Sequence, residues 1–409
     1  MGQTGGSDAP ARLPPALNII ALSGFAASLS TRALDPVLPR IATEFSVSIA
    51  TAAGLAAITA FTFAAVQPAI GALADMFGKA RLMIVCLALL GLASLLGAMT
   101  TSFELLFLCR ILAGIGSGGV FPVALGLTGD LVEPQRRQVA IGRVLGGSMT
   151  GNLLGASASG VIGDVFGWRG VLTVLGLLVI VAALAVAFGF RNQPLRPGAP
   201  MDLAALRRGY RTIFSNPNAL ICFAAVLVEG TCVMGAFPYV AAFLHELGQE
   251  SLAIAGLVIA GFAVGGLLYT LTVARLLPRL GVNGMMIGGG ALVGLQLAII
   301  AFGPPWQAQA ACFIAMGMGF YMLHGCIQVF ASELTETARG TAMSLHSFFF
   351  FIGQTTGPIA YGFGLAHAGK VPTLLVAGVT MLALGLVLAA VLRPRPPADA
   401  AVVEASRPA

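Results

Sequence analysis

Charge is scarce in this chain: only 9% of its 409 residues are Asp, Glu, Lys or Arg. A soluble globular domain carries about 25%, so with 57% hydrophobic residues the composition excludes one. Cysteine is equally sparse. Cys86, Cys109, Cys222, Cys232, Cys312 and Cys326 all fall inside apolar runs and none forms a CxxC pair, which excludes a disulfide framework or a zinc cluster and leaves small core hydrophobes. A Walker loop is missing, so ATP is not the expected energy source. Nucleophile–base sets and metal-ligand spacings are missing too, so neither an enzyme nor a metal or other cofactor is expected. The net charge of +6 does not signal nucleic acid, because the bases sit in short loops without interleaved aromatics. Met1 to Pro15 is polar, rich in Gly and Pro, and holds one Arg; it lacks a signal-peptide profile, and the first apolar run is expected to remain.

What is abundant is long apolar sequence. A membrane-spanning helix needs about 20 mostly apolar residues. Twelve such runs can be read, at 16–39, 49–72, 82–99, 104–125, 139–163 and 170–190, then 217–243, 252–274, 284–303, 307–330, 341–365 and 372–392. The fold class expected is all-α integral membrane, with 12 spans in two pseudo-symmetric six-helix bundles at 16–190 and 217–392. Tails at 1–15 and 393–409 and a linker at 191–216 complete the division. The linker carries Pro194, Pro197 and Pro200 and then the basic segment Leu206 to Arg211, read as a short amphipathic helix on the membrane surface.

With both termini on one side, that side gathers 16 of the 22 bases, the opposite side holds Arg40, Arg169 and Lys370, and Arg32, Arg110 and Arg143 lie within spans. The positive-inside rule then makes both termini cytoplasmic. An internal repeat supports the two halves. Asp130, Glu133 and Arg136 match Glu333, Glu336 and Arg339 at an offset of 203, and Gly151 and Gly155 match Gly353 and Gly357 at 202.

The segment Gly71-Ala72-Leu73-Ala74-Asp75-Met76-Phe77-Gly78-Lys79-Ala80-Arg81 stands between two spans. An open loop is forbidden in lipid, so it is expected to be a tight turn at a membrane face. Its pattern, G-x-L-x-D-x-x-G-[RK]-x-[RK], resembles the loop between helices 2 and 3 of major facilitator superfamily transporters. The second copy has decayed, with Pro278 at the position of Asp75 and Gly281 at that of Gly78. Arg110-Ile111-Leu112-Ala113-Gly114-Ile115-Gly116 resembles the helix 4 motif R-x-x-x-G-x-G of that superfamily, and Arg32 to Pro39 resembles the end of helix 1 in its drug:proton antiporters. The loop Gly163-Asp164-x-x-Gly167-Trp168-Arg169 resembles the one between helices 5 and 6. Helix 5 departs from the antiporter pattern: Asn152 stands where a proline is usual, and the Gly-Pro pair occurs instead at Gly357-Pro358. The resemblance runs from Arg32 to the twelfth span. It implies a gate built from Gly71, Asp75, Gly78, Lys79, Arg81 and Arg136 that latches the outward-open state, with Asp75 facing the start of span 11 near Thr341.

An ionisable group inside a bilayer costs at least about 2.5–3.5 kcal/mol and marks a functional candidate. Ser28, Arg32 and Asp35 follow i, i+4, i+7 spacing and would share a helix face lining a central cavity. Asp35 could pair with Arg32 or, at similar depth, with Arg110, and a bound proton would break such a pair. The resemblance implies a proton or substrate role for the acid and a proton-transfer role for Arg110; the alternatives are a structural ion pair and a snorkelling arginine on a glycine packing face. Glu229, the only acid deep in the second half, is a candidate proton carrier or cation site, or else a hydrogen-bonded core glutamate. Tyr321, His324 and Gln328 form a stripe with Gly317 on span 10; Ser347 and Gln354 on span 11 and Thr59 and Gln67 on span 2 complete the candidate substrate contacts. His346 is read as structural.

The reading is a secondary transporter of the bacterial inner membrane, monomeric, exporting a small organic compound such as a drug or sugar-like molecule against proton entry. Its partners are substrate, protons and lipid, not nucleic acid. One alternative is a proton symporter or facilitator for uptake of a sugar or organic acid. Asp35 and Glu229 would suit cationic or neutral substrates, whereas unpaired Arg32 and Arg110 would suit anions. The other is a non-transporting membrane sensor, disfavoured by the absence of a soluble domain.

Overall fold

The computed structural model describes residues 14–133, 136–191, 203–335 and 338–392. Both tails, the proline-rich start of the linker and part of each copy of the Asp130/Glu333 repeat lie outside them, and of Gly71 and Asp75 only the helical backbone is described. The described residues are helical throughout, without a strand. In chain order the helices are α1 (Ala16–Thr31), α2 (Leu38–Glu44), α3 (Ile49–Phe77), α4 (Lys79–Ala98), α5 (Phe103–Leu131), α6 (Arg137–Gly189), α7 (Leu203–Phe214), α8 (Asn218–Glu229), α9 (Val240–His245), α10 (Leu252–Ala301), α11 (Trp306–Ser332), α12 (Arg339–His367) and α13 (Lys370–Val391).

Nine helical stretches among these residues are long and apolar enough to cross a membrane. Two of them, in α6 and α10, are double-length and fold back at Gly167 and Gly281. A further crossing, α12, is less apolar because it carries His346, Ser347, Gln354, Thr355 and Thr356 toward its middle. Twelve crossings result. Apolar side chains such as Leu220, Phe363 and Val379 stand exposed on the outside, as lipid requires. Two bundles share the chain, α1 to α6 and α8 to α13. Between them α7 exposes Arg207, Arg208 and Arg211 and buries Ile213.

The repeat is visible as matched local structure. Ser48 caps α3 and Ser251 caps α10, each hydroxyl accepting a backbone N–H three residues on, at an offset of 203. Gly78 (φ 86°) and Gly281 (φ 65°) reverse the chain at the same offset, in a region a side chain would strain. Gly167 and Gly369 make the equivalent turns 202 residues apart. An ion pair recurs beside them: Arg169 holds Glu44 in the first bundle and Lys370 holds Glu246 at 3.0 Å in the second. The paired glycines do one job in both halves. A Cβ on Gly155 would lie 2.6 Å from the Leu29 carbonyl of α1, and one on Gly357 would lie 2.6 Å from Gly235 Cα. Span 5 thus packs on span 1, and α12 on span 7, at backbone distance.

Two expectations change. The tight turn expected within Gly71–Arg81 is narrower than its motif: α3 continues through Phe77 and α4 begins at Lys79, so Gly78 alone makes the reversal and Gly71 lies within the helix. Residues 72 to 77 hold no Gly or Pro and have no reason to leave the helix. Span 1, by contrast, breaks early. The helix ends at Thr31, a 3-10 turn covers Asp35–Val37, and α2 completes the crossing to Glu44. Pro36 and Pro39 supply no N–H, which removes two helical hydrogen bonds. Ser28, Arg32 and Asp35 therefore do not share one helix face. Span 7 breaks at the matching place, with a π-helical turn at Gly230–Met234 and a 3-10 turn at Phe237–Tyr239 around Pro238.

The bundles meet closely toward the base-poor face. Asp164, near the end of span 5, accepts hydrogen bonds from Ser251 Oγ (2.9 Å), Leu252 N (3.0 Å) and Ala253 N (2.9 Å) at the start of α10. Phe63 and Phe351 pack across the midline in a tilted pair, ring centres 4.0 Å apart. Toward the base-rich face α6 stands open at two glycines: Cβ atoms at Gly142 and Gly146 would meet nothing within 4 Å.

Candidate functional site

The breaks in spans 1 and 7 bring the strongest charges to the interface between the bundles. Arg32 leaves the end of α1 and reaches the other bundle. Its Nη1 lies 3.4 Å from Asp35 Oδ2, its Nη2 donates to Gln354 Oε1 and to Met234 Sδ (both 2.9 Å), and its guanidinium sits 4.6 Å from the Phe237 ring centre. Asp35 is buried, at 2% exposure, and its ion pair is this one. The expected alternative partner, Arg110, makes no ion pair with it.

Arg110 is also buried, at 5% exposure, one turn before Gly114 on α5. Its Nε donates to Thr59 Oγ1 at 3.4 Å, and no carboxylate among the described residues pairs with it. Thr59 in turn donates to Leu55 O at 2.7 Å. Gly114 permits this approach, because a Cβ there would lie 2.5 Å from the Thr59 carbonyl. Arg32, Thr59, Arg110, Ser117, Gln354 and the Phe63–Phe351 pair all line one cavity between the bundles.

A second polar site lies in the other bundle. Glu229, the last residue of α8, is fully buried and shares a 2.7 Å hydrogen bond with His324 Nδ1 on α11. Its other oxygen has no partner among the described residues. His324 stacks on Phe320 at 4.9 Å and meets the His346 ring edge-on at 5.1 Å. Glu229 is therefore not a lone carboxylate, and His346, whose Nε2 is buried without a described partner, belongs to the same cluster. The π-helical turn that follows Glu229 is a deformation frequent at functional sites.

The remaining candidates are scattered. Tyr321 is half-buried, packing beside Phe320 and Tyr269. Gln67 donates to Gly118 O at 3.1 Å and joins spans 2 and 4. Ser28 is half-buried and packs near Gly151, Ser347 is half-buried on α12, and Gln328 is exposed. Of the gate residues, Lys79 binds Asp130 at 2.7 Å, Arg81 is exposed, and Arg136 donates its backbone N–H to Glu133 O at 2.9 Å. Two residues were missed as site members. Asp130 is the acid that Lys79 finds, and Asp164 is the bridge between bundles. Both acids stood in quoted motifs, but their partners are 51 and 87 residues away and only the fold discloses them.

Duplicated six-helix halves, Gly-rich contacts between spans 1 and 5, and charges at the bundle interface meet a direct match in sequence. The sequence model of the Major Facilitator Superfamily matches residues 20–337 and 243–408. The chain belongs to this superfamily. It is a membrane transporter and not an enzyme. The chain is 22% identical over 351 residues to Multidrug resistance protein 1 of Bacillus subtilis (strain 168), covering 85% of this chain and 88% of that protein. It is 24% identical over 407 residues to a chloramphenicol resistance protein of Streptomyces lividans, covering 95% and 100%. In fold it resembles a bacterial homolog of the human lysosomal transporter Spinster, crystallised inward-facing and unoccupied, with a TM-score of 0.70 at 20% identity over 91% of this chain and 94% of that one.

Proposed function

We propose that the chain is a proton-coupled exporter of a small organic compound, working as a monomer in a bacterial inner membrane by alternating access of its two bundles, 16–190 and 217–392, about the linker 191–216. The base-rich face is cytoplasmic in this reading, as the positive-inside rule requires, and both termini lie there. The present arrangement, joined at Asp164 and Arg32 on the far side, is then the state that loads from the cytoplasm.

The observation that carries proton coupling is the Glu229–His324 pair. A fully buried carboxylate is costly in a membrane protein unless it is paired or carries a proton. Here one oxygen is held by an imidazole and the other is free to take a proton. His324 is 14% exposed whereas Glu229 is not exposed at all, so the imidazole is the route by which a proton reaches the acid. Asp35, held by Arg32 beside the bundle interface, is a second site at which a proton would alter contacts between the bundles. The names of the two resistance proteins support export of an organic compound as the direction.

Purified protein in liposomes with an internal pH dye tests this. A panel of cationic, neutral and anionic compounds is added under an imposed pH gradient. We expect at least one compound to drive proton movement opposite to its own, and Glu229→Gln to abolish that movement. Compound flux with no proton flux in wild type would sink the coupling, and co-directional flux would assign symport instead.

A further inference from the structure

We infer that the cavity between the bundles binds an amphipathic organic anion, with Arg110 as the charge that recognises it. The inference rests on the transporter reading and names the substrate class. Near the cavity are one carboxylate, Asp35, and two guanidiniums, Arg32 and Arg110. Arg32 is committed: Asp35, Gln354, Met234 and the Phe237 ring surround it. Arg110 is not. It is 95% withdrawn from solvent and lines the cavity, yet among the described residues a threonine hydroxyl is its only side-chain partner. An arginine cannot shed its proton in a protein, so it stays a cation. A buried cation without a counter-charge is unfavourable. An anion in the cavity supplies that counter-charge, and the fork of a guanidinium matches carboxylate or sulfonate oxygens two at a time.

The cavity selects more than charge. Ser117 on α5 and Thr59 on α3 line the same side as Arg110; each hydroxyl donates to its own helix, to Gly114 O and Leu55 O, and Thr59 Oγ1 accepts from Arg110 Nε and so orients the guanidinium. Phe63 and Phe351, tilted against each other with ring centres 4.0 Å apart, form an apolar wall to which each bundle contributes one ring. An anion with an aromatic or otherwise apolar body satisfies both features and touches both bundles, as alternating access requires. The second repeat has no such site. At an offset of 203, Thr59 and Arg110 become Phe262 and Phe313, so the charged recognition belongs to the first bundle alone.

The test is equilibrium binding to the purified full chain in detergent, which needs no transport. The probes share a ring and differ in charge: 2-naphthalenesulfonate, 2-naphthalenesulfonamide and 2-naphthylmethylammonium. Methanesulfonate carries the headgroup without the ring. The sulfonate stays ionised at every working pH. We expect it to bind saturably and at least 10-fold more tightly than the sulfonamide, the ammonium or methanesulfonate. Arg110→Gln should weaken sulfonate binding at least 10-fold, and Arg110→Lys should restore part of it. Thr59→Val should weaken it a few-fold, and the thermal transition of each variant checks its folding. The wild-type order of the four probes needs no variant. Equal binding of the charged and uncharged naphthalenes, preference for the ammonium, failure of the sulfonate to bind, or wild-type affinity in a folded Arg110→Gln protein each overturns the inference. Methanesulfonate binding as tightly as the naphthalenesulfonate would overturn the organic part and leave a small-anion site. Tight sulfonate binding without proton-linked flux in liposomes would keep the site and remove the proposed coupling.

Discussion

Arg32 and Gly155 show how single residues join this molecule, one by charge and one by having no side chain. Arg32 is an N-terminal-bundle residue whose contacts at Met234, Phe237 and Gln354 belong to the other bundle. Gly155 lets span 5 touch the backbone of α1, with the Leu29 carbonyl 2.6 Å from where a Cβ would be. Backbone cannot yield as a side-chain tip can, so Gly155→Ala should cost about 1–3 kcal/mol, the usual range for overpacking a tight core. Gly146, nine residues earlier on the same helix, has open space around it. Gly146→Ala should leave the melting temperature in detergent unchanged or raise it, since Ala is the better helix former by roughly 1 kcal/mol. Melting curves of the two variants check the contrast. Equal losses in both would mean that helix propensity, not the approach to α1, decides the position.

At the scale of elements, Asp164 is the clearest device. One carboxylate near the end of span 5 caps the N-terminus of α10 through two backbone N–H groups and the Ser251 hydroxyl, while Arg40 lies 3.5 Å away. The cap exists only while the bundles touch on that face. Removing an N-cap costs about 0.5–2 kcal/mol, and here the whole loss falls on one conformation. Asp164→Ala should therefore shift the equilibrium toward opening on the base-poor face, by roughly 2- to 30-fold at about 1.4 kcal/mol per decade. A cysteine placed at Ser117, in a chain whose six buried native cysteines are replaced, reports this through its labelling by an impermeant maleimide added from that face. An unchanged labelling rate would show that Asp164 fixes the loop without setting the equilibrium. This element also marks the limit of sequence reading. Crossings and repeats were legible because a membrane demands long apolar runs, and a duplicated half leaves offsets of 202 and 203 in its glycines and caps. Candidate charges were legible because charge inside such runs is rare. Their partners were not. The breaks at Pro36 and Pro238 re-aim Arg32 off its helical face, so spacing alone matched Asp35 to two arginines and could not pick between them. The Glu229–His324 contact joins residues 95 apart, and nothing local announces it.

Across the whole molecule the two halves repeat in backbone and differ in chemistry. The first bundle holds Arg110 and Thr59 where the second holds Phe313 and Phe262, and the second holds Glu229, His324 and His346 where the first holds Ala27, Phe121 and Val144. In the proposed reading, substrate charge and proton fall to different bundles, and the interface between them is where the two must be coupled. Coupling is reciprocal: if proton binding drives export, the bound proton must weaken affinity for the substrate by the same factor that the substrate weakens affinity for the proton. The groups around Glu229 that could share in this are His324 and Tyr321 on α11, His346 on α12 and Cys232 on the π-helical turn. For a probe whose own charge never changes, such as 2-naphthalenesulfonate, affinity should fall as pH is lowered through the range in which the cluster takes up its proton. In Glu229→Gln the slope should vanish. Affinity at the alkaline end should stay within about 2-fold of wild type, because Arg110 is intact, and a 2-fold change is only about 0.4 kcal/mol on the binding scale. Arg110→Gln should show the opposite pattern, weak binding at every pH. Binding isotherms across pH for the three proteins separate these cases. A slope that survives in Glu229→Gln would move the coupled proton to Asp35, and Asp35→Asn would then have to remove it.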